Sequence, residues 1–462
     1  MSNSKIIGQN VRLKEREVNQ FLSVPYAQPP IGKLRFKKPE PIQNYPKEIY
    51  AFNLPPACHQ YSGNTFSWFI NSTYKSEDCL YLNIWTPSDA SPANRKAVLY
   101  WIHGGGFKYG SIQLPLYSGI PLAALGDIIV VTVNYRVGPF GFLTSGTRDA
   151  PGNVGVWDIL EGLRWVNKYI GYFGGDTSRI TIAGESAGSW AVGLLAVSPL
   201  AKGLYKRQIM ESGSPVFLAA ENNTQNLAFS QRLAEMVGCA TPRFTVKDNP
   251  VPVLECLRRV DAVQLSKVDY SLNPYSVISF IPQYGDEIVP LKAKRAIMEG
   301  DFHFSELLIG NNKDEGSFLL STAHPEVFGF FGEKDTSINK SVGADFIRKA
   351  YEDESVPESV VQHYLPDAVP EHAGAFVRNQ TFTSFGDMLV LCPDVYHAEK
   401  CTQIGGNVYY YYWNHRPSNT PWAPWLGVAH FTEVQFVFGS PLLDPSSYTQ
   451  KEQRISQQMI EI

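Results

Sequence analysis

Several features that would set a function class at once are missing from this 462-residue chain. None of its six cysteines forms a C-x-x-C pair, which excludes zinc-ribbon and thioredoxin-like chemistry. No Lys/Arg run or basic patch is present and the net charge is only −4, so nucleic acid is excluded as a partner. No apolar run reaches the roughly 20 residues of a membrane span. The opening Met1-Ser2-Asn3-Ser4-Lys5 has no apolar signal-peptide core. There is no internal repeat and no low-complexity linker, which excludes solenoids and strings of tethered modules.

What is present is a chain 44% hydrophobic and 18% charged, able to bury a large core. Length alone suggests two or three domains, but without a linker we expect one domain over residues 1–462. The irregular, partly helical stretches 220–300 and 320–400 are expected as insertions above the carboxyl ends of the strands. Four Asn-x-Ser/Thr sequons occur, at Asn71, Asn222, Asn339 and Asn379. Together with an even cysteine count they point to an oxidising, secretory setting. The chain is thus expected to be secreted, in a version lacking its signal peptide.

Apolar runs alternate with helical periodicity. Ala97–His103, Ile128–Tyr135, Arg179–Ala183, Gln208–Met210, Glu306–Ile309 and Val408–Trp413 read as strands. Val154–Tyr172 carries Val156, Leu160, Leu163, Val166 and Ile170 on one helical face. Residues 1–60, rich in proline and charge, show only an extended turn at Val24–Pro30. Alternating βα units predict an α/β fold: a mostly parallel sheet covered by helices on both faces.

Within that frame, Gly184-Glu185-Ser186-Ala187-Gly188 is a Gly-x-Ser-x-Gly sequence between a β-branched strand and a small-residue helix, Ala187–Ser198. A serine on so sharp a turn projects its hydroxyl into a cleft, as a nucleophile requires. A hydroxyl is a poor nucleophile at neutral pH and needs a base. His430, in a loop after Val408–Trp413, follows in the chain order Ser, acid, His. The acid should follow a strand between them, and Asp314 and Glu315 both qualify after Glu306–Ile309. His103-Gly104-Gly105-Gly106-Phe107 fits a glycine-rich oxyanion loop directly after a strand, with a second donor expected at the Ala187 N–H.

Collinear with these are Glu77-Asp78-Cys79-Leu80-Tyr81-Leu82-Asn83-Ile84-Trp85, Asn134-Tyr135-Arg136-Val137-Gly138, Lys313–Ser317 and Gly427–His430. With them the chain resembles the type-B carboxylesterase/cholinesterase family of α/β-hydrolases over nearly its whole length. The resemblance implies Glu315 as the acid, and Gly105, Gly106 and Ala187 as oxyanion donors. It implies disulfides Cys58–Cys79 and Cys239–Cys256 and an ion pair between Arg35 and Glu77. It implies a carboxylic ester as substrate, with no cofactor and no metal, and gives no oligomeric state. It also implies a first strand before this chain's start and helices beyond its end, including the partner of Cys392. Cys401 cannot serve as that partner across an unbroken helix, since nine helical residues span roughly 13 Å.

On the substrate side the chain departs from cholinesterases. Trp68 and Phe69 stand near the choline-binding tryptophan without aligning cleanly, and a peripheral aspartate falls on Gly63. Acyl-pocket phenylalanines fall near Ser276 and Ile278, which predicts a wider pocket. Glu185 and Phe318 do match the acidic and aromatic sides of the cation site. The expected activity is hydrolysis of carboxylic esters through a Ser-Glu-His triad. The alternatives are a cholinesterase acting on choline esters and a non-catalytic, neuroligin-like binding protein.

Overall fold

The computed structural model describes residues 4–62, 74–217, 224–272, 279–303, 306–351 and 357–462. Its centre is a nine-stranded sheet. In chain order the strands are β1 (Gln9–Leu13), β2 (Arg16–Pro25), β3 (Tyr81–Pro87), β4 (Lys96–Ile102) and β5 (Ile129–Val133), followed by β6 (Gly175–Glu185), β7 (Arg207–Glu211), β8 (Glu306–Asn312) and β9 (Asn407–Trp413). Their spatial order is β9-β8-β7-β6-β4-β5-β3-β2-β1. Every pairing from β9 to β5 is parallel. The pairings β5/β3, β3/β2 and β2/β1 are antiparallel.

Strand periodicity of two sorts the central strands onto two cores. Val98, Tyr100 and Ile102 of β4, with Ile180 and Ile182 of β6, enter one buried cluster. Leu99 and Trp101 of β4, with Ala183 of β6, enter another on the opposite face. The first face is covered by α1 (Val154–Tyr169), which buries Val156, Ile159, Leu160, Leu163 and Val166. Gly162 lets α1 approach, because a Cβ there would lie 2.4 Å from the Tyr100 hydroxyl. The second face is covered by residues near the end of the chain, among them Val434, Phe438 and Ile460.

Residues 1–60 do more than the extended turn predicted for them: they supply β1 and β2, which pair in register from Gln9↔Gln20 to Leu13↔Arg16. The strand before the serine is longer than expected, running from Gly175 to Glu185. The Val154 helix stops at Tyr169, where a 3-10 turn (Ile170–Phe173) leads into Gly174 with φ +81°.

A third apolar cluster lies over the site. It joins Phe318 and Leu320 of α2 (Glu315–Ala323), Val377 and Phe382 of α3 (Gly374–Gly386), and Trp422, Leu426 and Ala429. It therefore packs the segment that carries Glu315 against the segment that carries His430. Disulfides link Cys58 to Cys79 and Cys239 to Cys256, while Cys392 and Cys401 are free thiols. Arg35 grips Glu77 with two hydrogen bonds of 2.6 and 2.5 Å.

Candidate functional site

Ser186 sits between the last residue of β6 and the first of the following helix, Ala187–Val197. Its φ of +56° and ψ of −122° lie where non-glycine residues are rare, the strain of a strand forced to turn straight into a helix. The turn is anchored on both sides. The Ser186 N–H donates to Glu211 O on β7 (2.8 Å), and Ser186 O accepts from Trp190 N–H (2.9 Å). The two flanking glycines are there for space. A Cβ at Gly188 would lie 2.1 Å from Ile102 O, and one at Gly184 would lie 2.5 Å from the Gly188 carbonyl carbon.

The loop after β4 packs on this turn. A Cβ at Gly104 would lie 2.6 Å from Glu185 Oε2, and Gly105 and Gly106 have φ of +109° and +63°. His103 is buried, stacks on Tyr135 at 4.3 Å, and is pushed down to about 4 by burial, so its ring is neutral. Among the described residues no group of the chain accepts a hydrogen bond from the N–H of Gly105, Gly106 or Ala187. Gly106, Ser186, Ala187, Trp190, Ser212 and His430 line a common cavity of about 40 Å³.

The two acids that the residues alone left open point to different partners. Glu315 Oε2 lies 2.5 Å from His430 Nδ1, and its Oε1 accepts from the Asn312 N–H at 2.6 Å. Asp314 Oδ2 instead accepts from Val428 N–H (2.8 Å) and fixes the turn before His430. Gly427 is required there: at φ +67°, a Cβ would lie 2.2 Å from Asp314 Oδ2. Asn312 ties the same segment down through Ala429 O at 3.0 Å.

The other ring nitrogen, His430 Nε2, lies 3.0 Å from Glu185 Oε1, close in charge but outside hydrogen-bond alignment. Among the described residues Ser186 Oγ makes no hydrogen bond. Burial opposes the imidazolium, but Glu185 and Glu315 outweigh it and hold His430 well above its ordinary value. Phe318 stacks on the same ring, 6.0 Å away and tilted by 18°.

Sequence reasoning missed a group of carboxyls behind this site. Glu211 and Glu433 are buried and interact with each other and with Glu185. Burial, then Glu185 and Glu315, push Glu433 up to about 8, and burial with Glu433 and Glu185 raises Glu211 strongly. The available signal was their placement, at the end of the strand beside β6 and three residues past His430. Trp68, Ser276 and Ile278, together with Gly63, Phe69, Asn71 and Asn222, lie outside the described residues. Asn339 and Asn379 are exposed. Among the described residues no group of three His, Cys, Asp or Glu side chains could hold a metal ion, and no helix is long and apolar enough to cross a membrane.

A strained serine between a parallel strand and a helix, with a His–Glu pair delivered by later strand ends, defines an α/β-hydrolase. Residues 1–462 match the model of the carboxylesterase family, and the chain belongs to that family of carboxylic ester hydrolases. It is 38% identical over 455 residues to acetylcholinesterase-1 of Trittame loki, covering 96% of this chain and 81% of that one. It is 35% identical over 457 residues to a cholinesterase of Mus musculus, covering 96% and 74%. It is 32% identical over 506 residues to an acetylcholinesterase of Danio rerio, covering 99% and 77%.

Proposed function

We propose that Ser186, His430 and Glu315 form the catalytic triad of this ester hydrolase. The observation that carries the reading is the His430 Nδ1–Glu315 Oε2 contact of 2.5 Å beside a cavity shared by Ser186 and His430. Ser186 Oγ attacks the ester carbonyl carbon while its proton passes to His430 Nε2. Glu315 holds the Nδ1–H and offsets the charge of the imidazolium. The N–H groups of Gly105, Gly106 and Ala187 receive the oxyanion. His430 then gives its proton to the leaving alcohol. Water, deprotonated by the same ring, releases the acid from Ser186. For the first step Nε2 must leave Glu185 and engage Ser186 Oγ, a tightening common on substrate binding.

Choline esters are the second reading. The relatives' names support it, as do the Glu185 carboxylate and the Phe318 ring flanking His430. Retention of all three triad groups speaks against a purely adhesive role. The two disulfides and four sequons support passage through an oxidising secretory compartment.

The test is reaction with an organophosphate followed by peptide mass spectrometry, beside a panel of choline and neutral esters of matched acyl length. Label on Ser186 with loss of activity is expected. A folded protein that stays unlabelled and hydrolyses nothing overturns the triad. Equal rates on matched choline and neutral esters overturn the choline reading alone.

A further inference from the structure

Glu315 lines a second cavity, of about 230 Å³, in which neither His430 nor Ser186 takes part. Around it stand Lys313, Asn379, Thr383, Asp387, Tyr412 and Trp425. The chemistry is mixed: an amide, a hydroxyl, a carboxyl and an ammonium group beside two aromatic rings. The Trp425 ring already has partners, the Arg378 guanidinium at 4.1 Å and Phe382 stacked at 5.8 Å. Tyr412 differs. The residue is 55% exposed, and among the described residues its ring has no aromatic or cationic partner. An open ring with hydrogen-bonding groups around it suits a sugar, whose C–H edges meet the negative ring face while its hydroxyls meet the polar groups.

Asn379 also lines this cavity. It is exposed, lies on α3, and begins the sequon Asn379-Gln380-Thr381. Thr383, one turn further on, lies on the same helix face and lines the same cavity. The hydroxyl of Thr381 is buried and donates to Val377 O at 2.9 Å. The triplet can therefore be read by a transferase only before α3 packs. Asn339, the other sequon on described residues, lines none of the described cavities.

We propose that Asn379 carries an N-linked glycan whose first N-acetylglucosamine packs on Tyr412 in this cavity and covers Glu315 from that side. In the transfer, Asn379 Nδ2 attacks C1 of a polyprenyl-pyrophosphate-linked oligosaccharide. The new N–C bond forms, the C1–O bond to phosphate breaks, Nδ2 loses one proton and the polyprenyl pyrophosphate leaves. The inference rests on the secretory setting proposed above.

The protein is produced in a secretory eukaryotic host and its glycopeptides are mapped by mass spectrometry. Hydrogen exchange over residues 312–317 and 379–387 is then compared in three forms of the folded protein: glycosylated, trimmed to one N-acetylglucosamine, and fully deglycosylated. The same comparison is made for Tyr412→Ala, a change outside the triad. We expect Asn379 to be occupied, the first two forms to exchange alike, and the third and Tyr412→Ala to exchange about tenfold faster there. A bare Asn379 with glycan at other sequons overturns this inference alone, as does identical exchange in all forms. No glycan at any sequon overturns the secretory setting with it. Hydrolysis of a nitrophenyl ester by the same sample reports the triad separately.

Discussion

His430 is held between two glutamates: Glu315 lies 2.5 Å from Nδ1 and Glu185 lies 3.0 Å from Nε2. Glu185 is thus both the residue before Ser186 and the carboxylate that faces the ring nitrogen needed by the proposed nucleophile. Its charge favours the imidazolium, the form that cannot accept a proton from Ser186.

That relationship sets the pH dependence. Glu185 and Glu315 raise His430 above its usual range against the pull of burial, so activity should climb as pH rises through this elevated value. Glu185→Gln removes one of the two raising charges. The acid limb of kcat/KM should then move to lower pH, measured on a nitrophenyl ester from pH 5 to 10. An acid limb that stays in place would show that Glu185 does not set the charge of His430.

Neighbouring acids should give opposite phenotypes. Under the proposed triad, Glu315→Gln should lower kcat by roughly 10³–10⁴-fold with little change in melting temperature. Asp314→Ala should spare the acid but leave the buried Val428 N–H without its acceptor, costing about 1–3 kcal/mol. Kinetics and urea melts of the two variants separate the roles; equal losses of kcat would contradict the assignment.

The glycine beside the serine is a steric requirement. Gly188→Ala places a methyl carbon 2.1 Å from Ile102 O and should abolish activity and lower the melting temperature by several degrees or more. Gly171→Ala, with nothing within 4 Å, should stay within about 0.5 kcal/mol of the parent. Circular dichroism melts of the pair check this, and a Gly188→Ala protein that melts like the parent would refute it.

The buried carboxyls predict a stability trend. Glu433 ionises near 8 in the folded chain, against about 4.5 when exposed, because burial and then Glu185 and Glu315 oppose its charge. Between these values the unfolded state has lost a proton that the folded state keeps. Stability from this group is therefore full below about 4.5 and lost as pH rises towards 8. Glu433→Gln has no such proton. Its melting temperature should gain on the parent between pH 5 and pH 8, and parallel curves across that range would exclude the effect.

The strained turn at Ser186 and the glycine loop after β4 were legible because each is a local pattern with a local cause. The choice between Asp314 and Glu315 was not legible from the residues alone. Adjacent side chains in one turn leave in different directions, and only the packing of Gly427 against Asp314 decides which reaches His430. Strands β1 and β2 were missed because charge and proline dominate their surroundings, although Val18, Leu22 and Val24 of β2 are buried. Glu211 and Glu433 were missed because their meeting joins a strand end to a helix start far apart in the chain.

The wide chain separation of the paired groups has a consequence for biosynthesis. Ser186 and His430 are 244 residues apart, so at about 5–20 residues per second the ribosome needs roughly 12–50 s to pass from one to the other. Under the proposed roles, the serine turn can form throughout that interval without its base, and for about the first half of it without Glu315 either. A nascent chain is then inert towards esters, and hydrolytic competence arrives only when the last strand of the sheet and the loop after it have been made.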